Sequence, residues 1–143
     1  SATSQDLVQF YEVIIKIIQG ASELNIRPNE IQIKKMGEFG LISSMVATPL
    51  ALVLTELIHN ALEHGLSTSG DLVELRINRQ AASMTITVTD NGAGIPSDFS
   101  LESNTNLGLQ IVQTLTKNEL AGKIEFIKQN IRTQVAISFP LER

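Results

Sequence analysis

Leu72-Val-Glu-Leu-Arg-Ile-Asn-Arg79 and Met84-Thr-Ile-Thr-Val-Thr89 both alternate apolar and polar residues. Period-two alternation predicts half-buried strands, and the short Gln80 to Ser83 connection predicts that they pair as a hairpin. Two successive strands with no helix between them exclude a strictly doubly wound parallel sheet. The second strand runs into Asp90-Asn91-Gly92-Ala93-Gly94, a carboxylate just before two closely spaced glycines. Taken alone that run is a turn, because glycines after a strand supply φ > 0. Its neighbours on either side change that reading.

Upstream, Leu50, Val53, Leu54, Leu57, Ile58, Ala61 and Leu62 form the apolar side of a helix expected from about Val46 to His64. Pro49 is expected near its first turn, and Gly65 stops it. Before it come a short strand over 31–36 and an amphipathic helix over 6–24, with Leu7, Phe10, Tyr11, Ile14, Ile15, Ile17 and Ile18 on a broad buried face. Downstream, residues 92–106 are polar and aperiodic, about the length at which a loop stops being mere connection. A helix is expected from Gly108 to Leu120, ended by Gly122. A second hairpin pairs Lys123–Lys128 with Thr133–Phe139. The expected fold is α+β: a two-layer sandwich of a mainly antiparallel mixed sheet with helices on one face.

The 143 residues suit one domain with a real core. Aromatics make up only 4%, so Leu, Ile, Val and Ala must build that core. A net charge of −4 argues against a general nucleic-acid binder. With no cysteine, disulfides, thiolate nucleophiles and Cys-ligated zinc are excluded. His59 and His64 are five apart and do not make an H-E-x-x-H site. No apolar run approaches the roughly 18–20 residues of a membrane span, and no membrane contact by this piece is expected. The start is no signal peptide and lacks an initiator Met, which suggests a piece of a longer, cytoplasmic protein.

Glu56 and Asn60, four apart, share a helix face, and His64 lies one turn further on. Most such residues simply meet solvent. Beside a bound Mg–nucleotide they make chemical sense: an amide oxygen can help hold Mg²⁺, and a carboxylate one turn away can order a water or act as a base. Asp90, at a strand end, can accept a hydrogen bond from an exocyclic amine such as adenine N6, and Gly92 and Gly94 would let the ring approach the backbone. Asn106-Leu107-Gly108-Leu109 opens a helix, whose free N–H groups favour phosphate. No Walker, dinucleotide-binding or nucleophile-elbow motif competes.

In that order these segments resemble the ATP-binding catalytic domain of sensor histidine kinases, in the GHKL or Bergerat-fold ATPase superfamily, over roughly residues 40 to 140. Glu56 to Gly65 resembles the asparagine box, Asp90 to Gly94 the first glycine box, and Leu107-Gly108-Leu109 the second. The resemblance implies that Asn60 ligates Mg²⁺ and that Ala61 and His64 line the nucleotide. It implies that Asp90 binds adenine N6 with Thr133 behind it through a water, and that Gly92, Gly94 and Ile95 line adenine and ribose. Residues 96–107 would be an ATP lid, with Asn106, Leu107, Gly108 and Leu109 at the phosphates. Glu56 matches the general-base Glu of ATP-hydrolysing relatives.

The sequence departs from the pattern at several places. Glu63 stands where many members have a basic residue, Asn106 replaces a usual Gly, Ile131 and Arg132 replace two glycines, and the lid has no Lys or Arg. Weak nucleotide affinity in isolation is the expectation. The segment from Ala47 to Leu57 resembles kinases with the second class of dimerisation and phosphoacceptor helices. Residues 1–28 then read as a helix linking to that region, and 29–143 as the catalytic domain. The implied partners are a dimerisation/phosphoacceptor domain in cis or trans and a response-regulator receiver domain, in a homodimeric full-length protein. Neither His59 nor His64 is a plausible acceptor, so the piece should not phosphorylate itself. The alternatives are a stand-alone anti-sigma-factor Ser kinase of the same superfamily and an interaction domain that has lost ATP.

Overall fold

The computed structural model describes residues 31–65, 70–92, 107–129 and 132–141. The expected 6–24 helix, Gly94, Ile95, most of the expected lid and Asn106 lie outside the described residues. The chain forms β1 (Gln32–Met36), α1 (Ser44–Asn60), β2 (Leu72–Arg79), β3 (Ser83–Asp90), α2 (Leu107–Thr114), β4 (Lys123–Gln129) and β5 (Arg132–Pro140). Each α-helix continues into a single wider π-helical turn, Ala61–Gly65 after α1 and Leu115–Glu119 after α2.

Five strands make one sheet in the order β1-β2-β3-β5-β4. β1 and β2 are parallel, and the other three pairings are antiparallel. Both expected hairpins form, and the α+β sandwich is as expected. The parallel pair follows from the helix between its strands: a crossover can return the chain in the same direction, and a tight turn cannot.

Strand periodicity builds the core. Val73, Leu75 and Ile77 of β2, Met84, Ile86 and Val88 of β3, and Val135, Ile137 and Phe139 of β5 are all buried. They join Val46, Leu50, Val53, Leu54, Leu57 and Ile58 of α1, with Val112 and Leu120, in one cluster. The other face of β3 is Ser83, Thr85, Thr87 and Thr89, all half-buried. Side chains alternate across a strand, so Asp90 continues the line of Met84, Ile86 and Val88 and emerges on the helix side of the sheet. Thr133 continues the line of Val135, Ile137 and Phe139 on the same side.

Three local expectations change. Helix α1 begins at Ser44, so Pro49 is its sixth residue and lies beyond the first turn. Its missing N–H leaves the Met45 carbonyl without its helical donor, which is tolerable at the exposed Met45. At the end of the second helix the left-handed residue is Ala121, with φ 55°, and not Gly122. Gly122 is needed for space instead: a Cβ there would strike the Ser138 carbonyl and Phe139. Finally, residues Ser44–Glu63 are long and apolar enough to cross a membrane by length and composition. Their apolar side is spent on the sheet, which marks a core helix.

Candidate functional site

Asp90 is the last residue of β3 and is 4% exposed. Its Oδ1 accepts the Gly92 N–H at 3.0 Å. Burial raises its pKa above the ordinary carboxylate value, and the Gly92 hydrogen bond offsets this in part. The remaining oxygen has no hydrogen-bond partner among the described residues. Directly across the β3–β5 ladder stands Thr133, whose Oγ1 is buried with no partner among the described residues. A buried carboxylate and an orphan hydroxyl on one side of a sheet are costly unless something completes them. A flat ring with an exocyclic N–H donor and a ring nitrogen acceptor has the complementary chemistry.

Helix α1 brings up the second element. Asn60 is its last residue, half-buried, and Glu56 lies one turn earlier, also half-buried. The 3.6-residue period puts Glu56 on the outward line of the exposed Met45, Leu52 and Glu63. Asn60 falls between that line and the buried Val53 and Leu57, and so leans closer to the core. Immediately after Asn60 the helix widens, and the π turn packs against β3. Ala61 is buried in that turn, and His64 belongs to its backbone. Sequence periodicity gave no hint of the widening, because the π turn is the last turn of the helix and no later turn shows the shift in apolar register that it causes. Such π turns recur at functional sites. His59 faces Glu63 at 3.4 Å on the exposed side.

The third element is α2, which packs against α1. Leu107 at its start is 72% exposed, Gly108 is half-buried, Leu109 is buried, and Val112 ties the helix to the core cluster. Its first turn holds no acidic residue, which suits an anion at the helix N-terminus. The fold thus gathers the turn after Asn60, the end of β3 and the second helix on one side of one sheet. One residue of the first glycine box was missed as a structural part: Asn91 turns its side chain away from Asp90 to the start of β2. Asp71, its partner there, carries no sequence signal beyond lying in a polar turn.

The residues present fit Mg–nucleotide. Asp90 and Thr133 match a purine amine, and Asn60 offers one amide oxygen, which suits an ion that keeps most of its waters.

An α+β sandwich with a buried carboxylate at the end of a central strand, beside an Asn-bearing helix and the start of a second helix, has the frame of a nucleotide-binding module. The chain belongs to the histidine kinase-, DNA gyrase B- and HSP90-like ATPase family, whose model matches residues 45–143. It is 35% identical over 146 residues to the sensor histidine kinase PdtaS of Mycobacterium tuberculosis, matching 100% of this chain and 29% of that protein. It is 29% identical over 129 residues to blue-light-activated histidine kinase 2 of Erythrobacter litoralis, matching 87% of this chain and 34% of that protein. The chain therefore spans only a part of these relatives. Among solved structures it is similar to the histidine kinase domain of the E. litoralis EL346 blue-light-activated kinase, with a TM-score of 0.76 and 25% identity over 92% of this chain and 61% of that one. The catalytic domain of histidine kinase ThkA shares the fold, with a TM-score of 0.68 and 19% identity over 92% of this chain and 93% of that one.

Proposed function

We propose that this chain is the ATP-binding catalytic domain of a sensor histidine kinase, which holds Mg–ATP and presents the γ-phosphate to a histidine on a separate dimerisation domain. The observation that carries the reading is the buried Asp90 carboxyl facing the orphan Thr133 Oγ1 across one ladder. Asp90 accepts from the base amine, and Thr133 adds a second polar contact through a water. Gly92, buried at the strand end, keeps the approach free of a side chain. Asn60 holds the ion, which when bound neutralises phosphate charge. Ala61, His64, Gly94, Ile95, Asn106, Leu107, Gly108 and Leu109 complete the nucleotide surround in this reading.

Phosphoryl transfer asks the protein mainly for positioning and charge stabilisation. Glu56, on the outer line of α1, faces away from the core and is placed to polarise a water or an incoming histidine. Residues 1–28 form the link to the phosphoacceptor region and 29–143 the catalytic domain. The phosphoacceptor helices are of the second class, the whole protein is a cytoplasmic homodimer, and a receiver domain takes the phosphate onward. The sensor kinases among the relatives support this reading over a stand-alone Ser kinase.

Incubation with γ-labelled ATP, with and without the histidine-bearing domain of the intact protein, checks it. Label is expected on that domain only. Stable phosphohistidine on this chain alone, or no transfer at all, contradicts the proposal.

A further inference from the structure

Asn91 separates the two groups that make the acceptor: Asp90, and Gly92, whose N–H holds Asp90 Oδ1. Its own side chain is spent elsewhere. Asn91 Oδ1 accepts the Asp71 N–H at 2.9 Å and the Leu72 N–H at 3.0 Å. Asn91 Nδ2 donates to Asp71 Oδ1 at 2.9 Å, and the Asn91 N–H donates to the Leu72 carbonyl at 3.3 Å. The Asp71 carbonyl in turn accepts the Gln32 N–H at 2.7 Å, which ties the same corner to β1.

The amide orientation is determined by these partners, since a flipped group would set its NH₂ against two N–H donors. The residue type is equally constrained. An ordinary turn would accept Asp, Gly or Ser here. This corner needs an acceptor for two N–H groups and a donor for a carboxylate on one short side chain. An Asp would repel Asp71, and a Ser hydroxyl cannot serve both sides. The turn that carries Asp90 and Gly92 is therefore locked to β2 by a side chain that touches neither.

We propose that Asn91, clasped by Asp71, is a positioning residue for base recognition: it fixes the turn that aims the Asp90 carboxyl at an exocyclic amine. This rests on the nucleotide-binding reading above and adds to it two residues that make no contact with the nucleotide. A purely structural clasp would lower stability and weaken all nucleotides alike. A positioning clasp lowers the preference for a base with an amine over one without it.

The probes are ADP, which carries the amine, and IDP, which has a carbonyl in its place, each titrated calorimetrically into the full 143-residue chain. The wild-type chain is expected to prefer ADP. Asn91→Asp should cut the ADP-to-IDP affinity ratio by about fivefold to tenfold while IDP affinity moves less than about twofold, the scale of one lost charge-assisted hydrogen bond. Adding Asp71→Asn supplies an amide donor to the new carboxylate and should restore the ratio to within about twofold. Asp71→Ala, at an exposed position, should lower the ratio about threefold and serves if Asn91→Asp does not fold. An unchanged ratio in the single variants, or a double variant that restores nothing, overturns the clasp while leaving nucleotide binding intact. A wild-type chain that binds both probes equally overturns the parent reading and the clasp with it.

Discussion

Asp90 and Thr133 face each other across the β3–β5 ladder, one a buried carboxyl raised in pKa and the other a threonine whose hydroxyl is enclosed without a partner among the described residues. Neither is favourable to the fold by itself. Strand interiors select against unpaired polar groups, so in the proposed reading two of them side by side mark a place where stability is traded for recognition.

The trade is measurable at Asp90. Burial raises its folded-state pKa above the ordinary 3.8, so the folded state holds the proton more tightly than the unfolded state. The stability this group contributes is full below that ordinary value and is lost as pH rises through the folded pKa. Asp90→Asn removes the titration. Thermal denaturation across pH should show the variant gaining on the wild type as pH rises from 3.8 to neutrality. A constant difference across that range contradicts the burial argument.

Thr133→Val should leave the nucleotide-free chain as stable or more stable, because it removes a buried hydroxyl with no partner among the described residues. It should weaken ADP binding by about threefold to tenfold, the scale of one lost hydrogen bond. Melting curves and calorimetry on the same samples check both halves. A clear loss of thermal stability would mean the hydroxyl already has a partner in the folded chain.

Much of this was legible in the sequence. The two alternating segments around Gln80 gave the hairpin, and counting by twos from Met84 places Asp90 on the core side. The same count from Phe139 places Thr133 there too. What could not be read is what depends on partners distant in sequence. Asn91 reaches back 20 residues to Asp71, and nothing in a short polar turn announces that. The π turn after Asn60 ends its helix, so no following turn displays the register shift it makes. The sequence marks Gly122 as a helix stop, but its reason lies on β5, at Ser138 and Phe139.

That last correction gives adjacent substitutions of opposite sign. Ala121 holds φ 55°, so Ala121→Gly relieves a left-handed strain of about 1–2 kcal/mol at an entropic cost of about 0.5–1 kcal/mol. A net gain of about 0.5–1 kcal/mol is expected from denaturant melts. Gly122→Ala forces a Cβ onto the Ser138 carbonyl and should lose about 1–3 kcal/mol, as overpacking does. Equal effects of the two changes would return the helix stop to Gly122.

Asn60→Ala tests the ion site. The wild-type chain should bind ADP more tightly with Mg²⁺ than with a chelator, and the variant should lose most of that difference, about tenfold or roughly 1.4 kcal/mol. Adenosine, which has no phosphate, should bind both proteins alike. A variant that keeps the Mg²⁺ dependence places the ligand elsewhere.

The central claim is that the end of β3 reads a purine amine. Calorimetric titration of ADP and IDP into the wild-type chain and Asp90→Asn tests it most directly. The account predicts ADP preference in the wild type and a loss of that preference, by about tenfold, in the variant. Equal ADP affinity in the two proteins would contradict it.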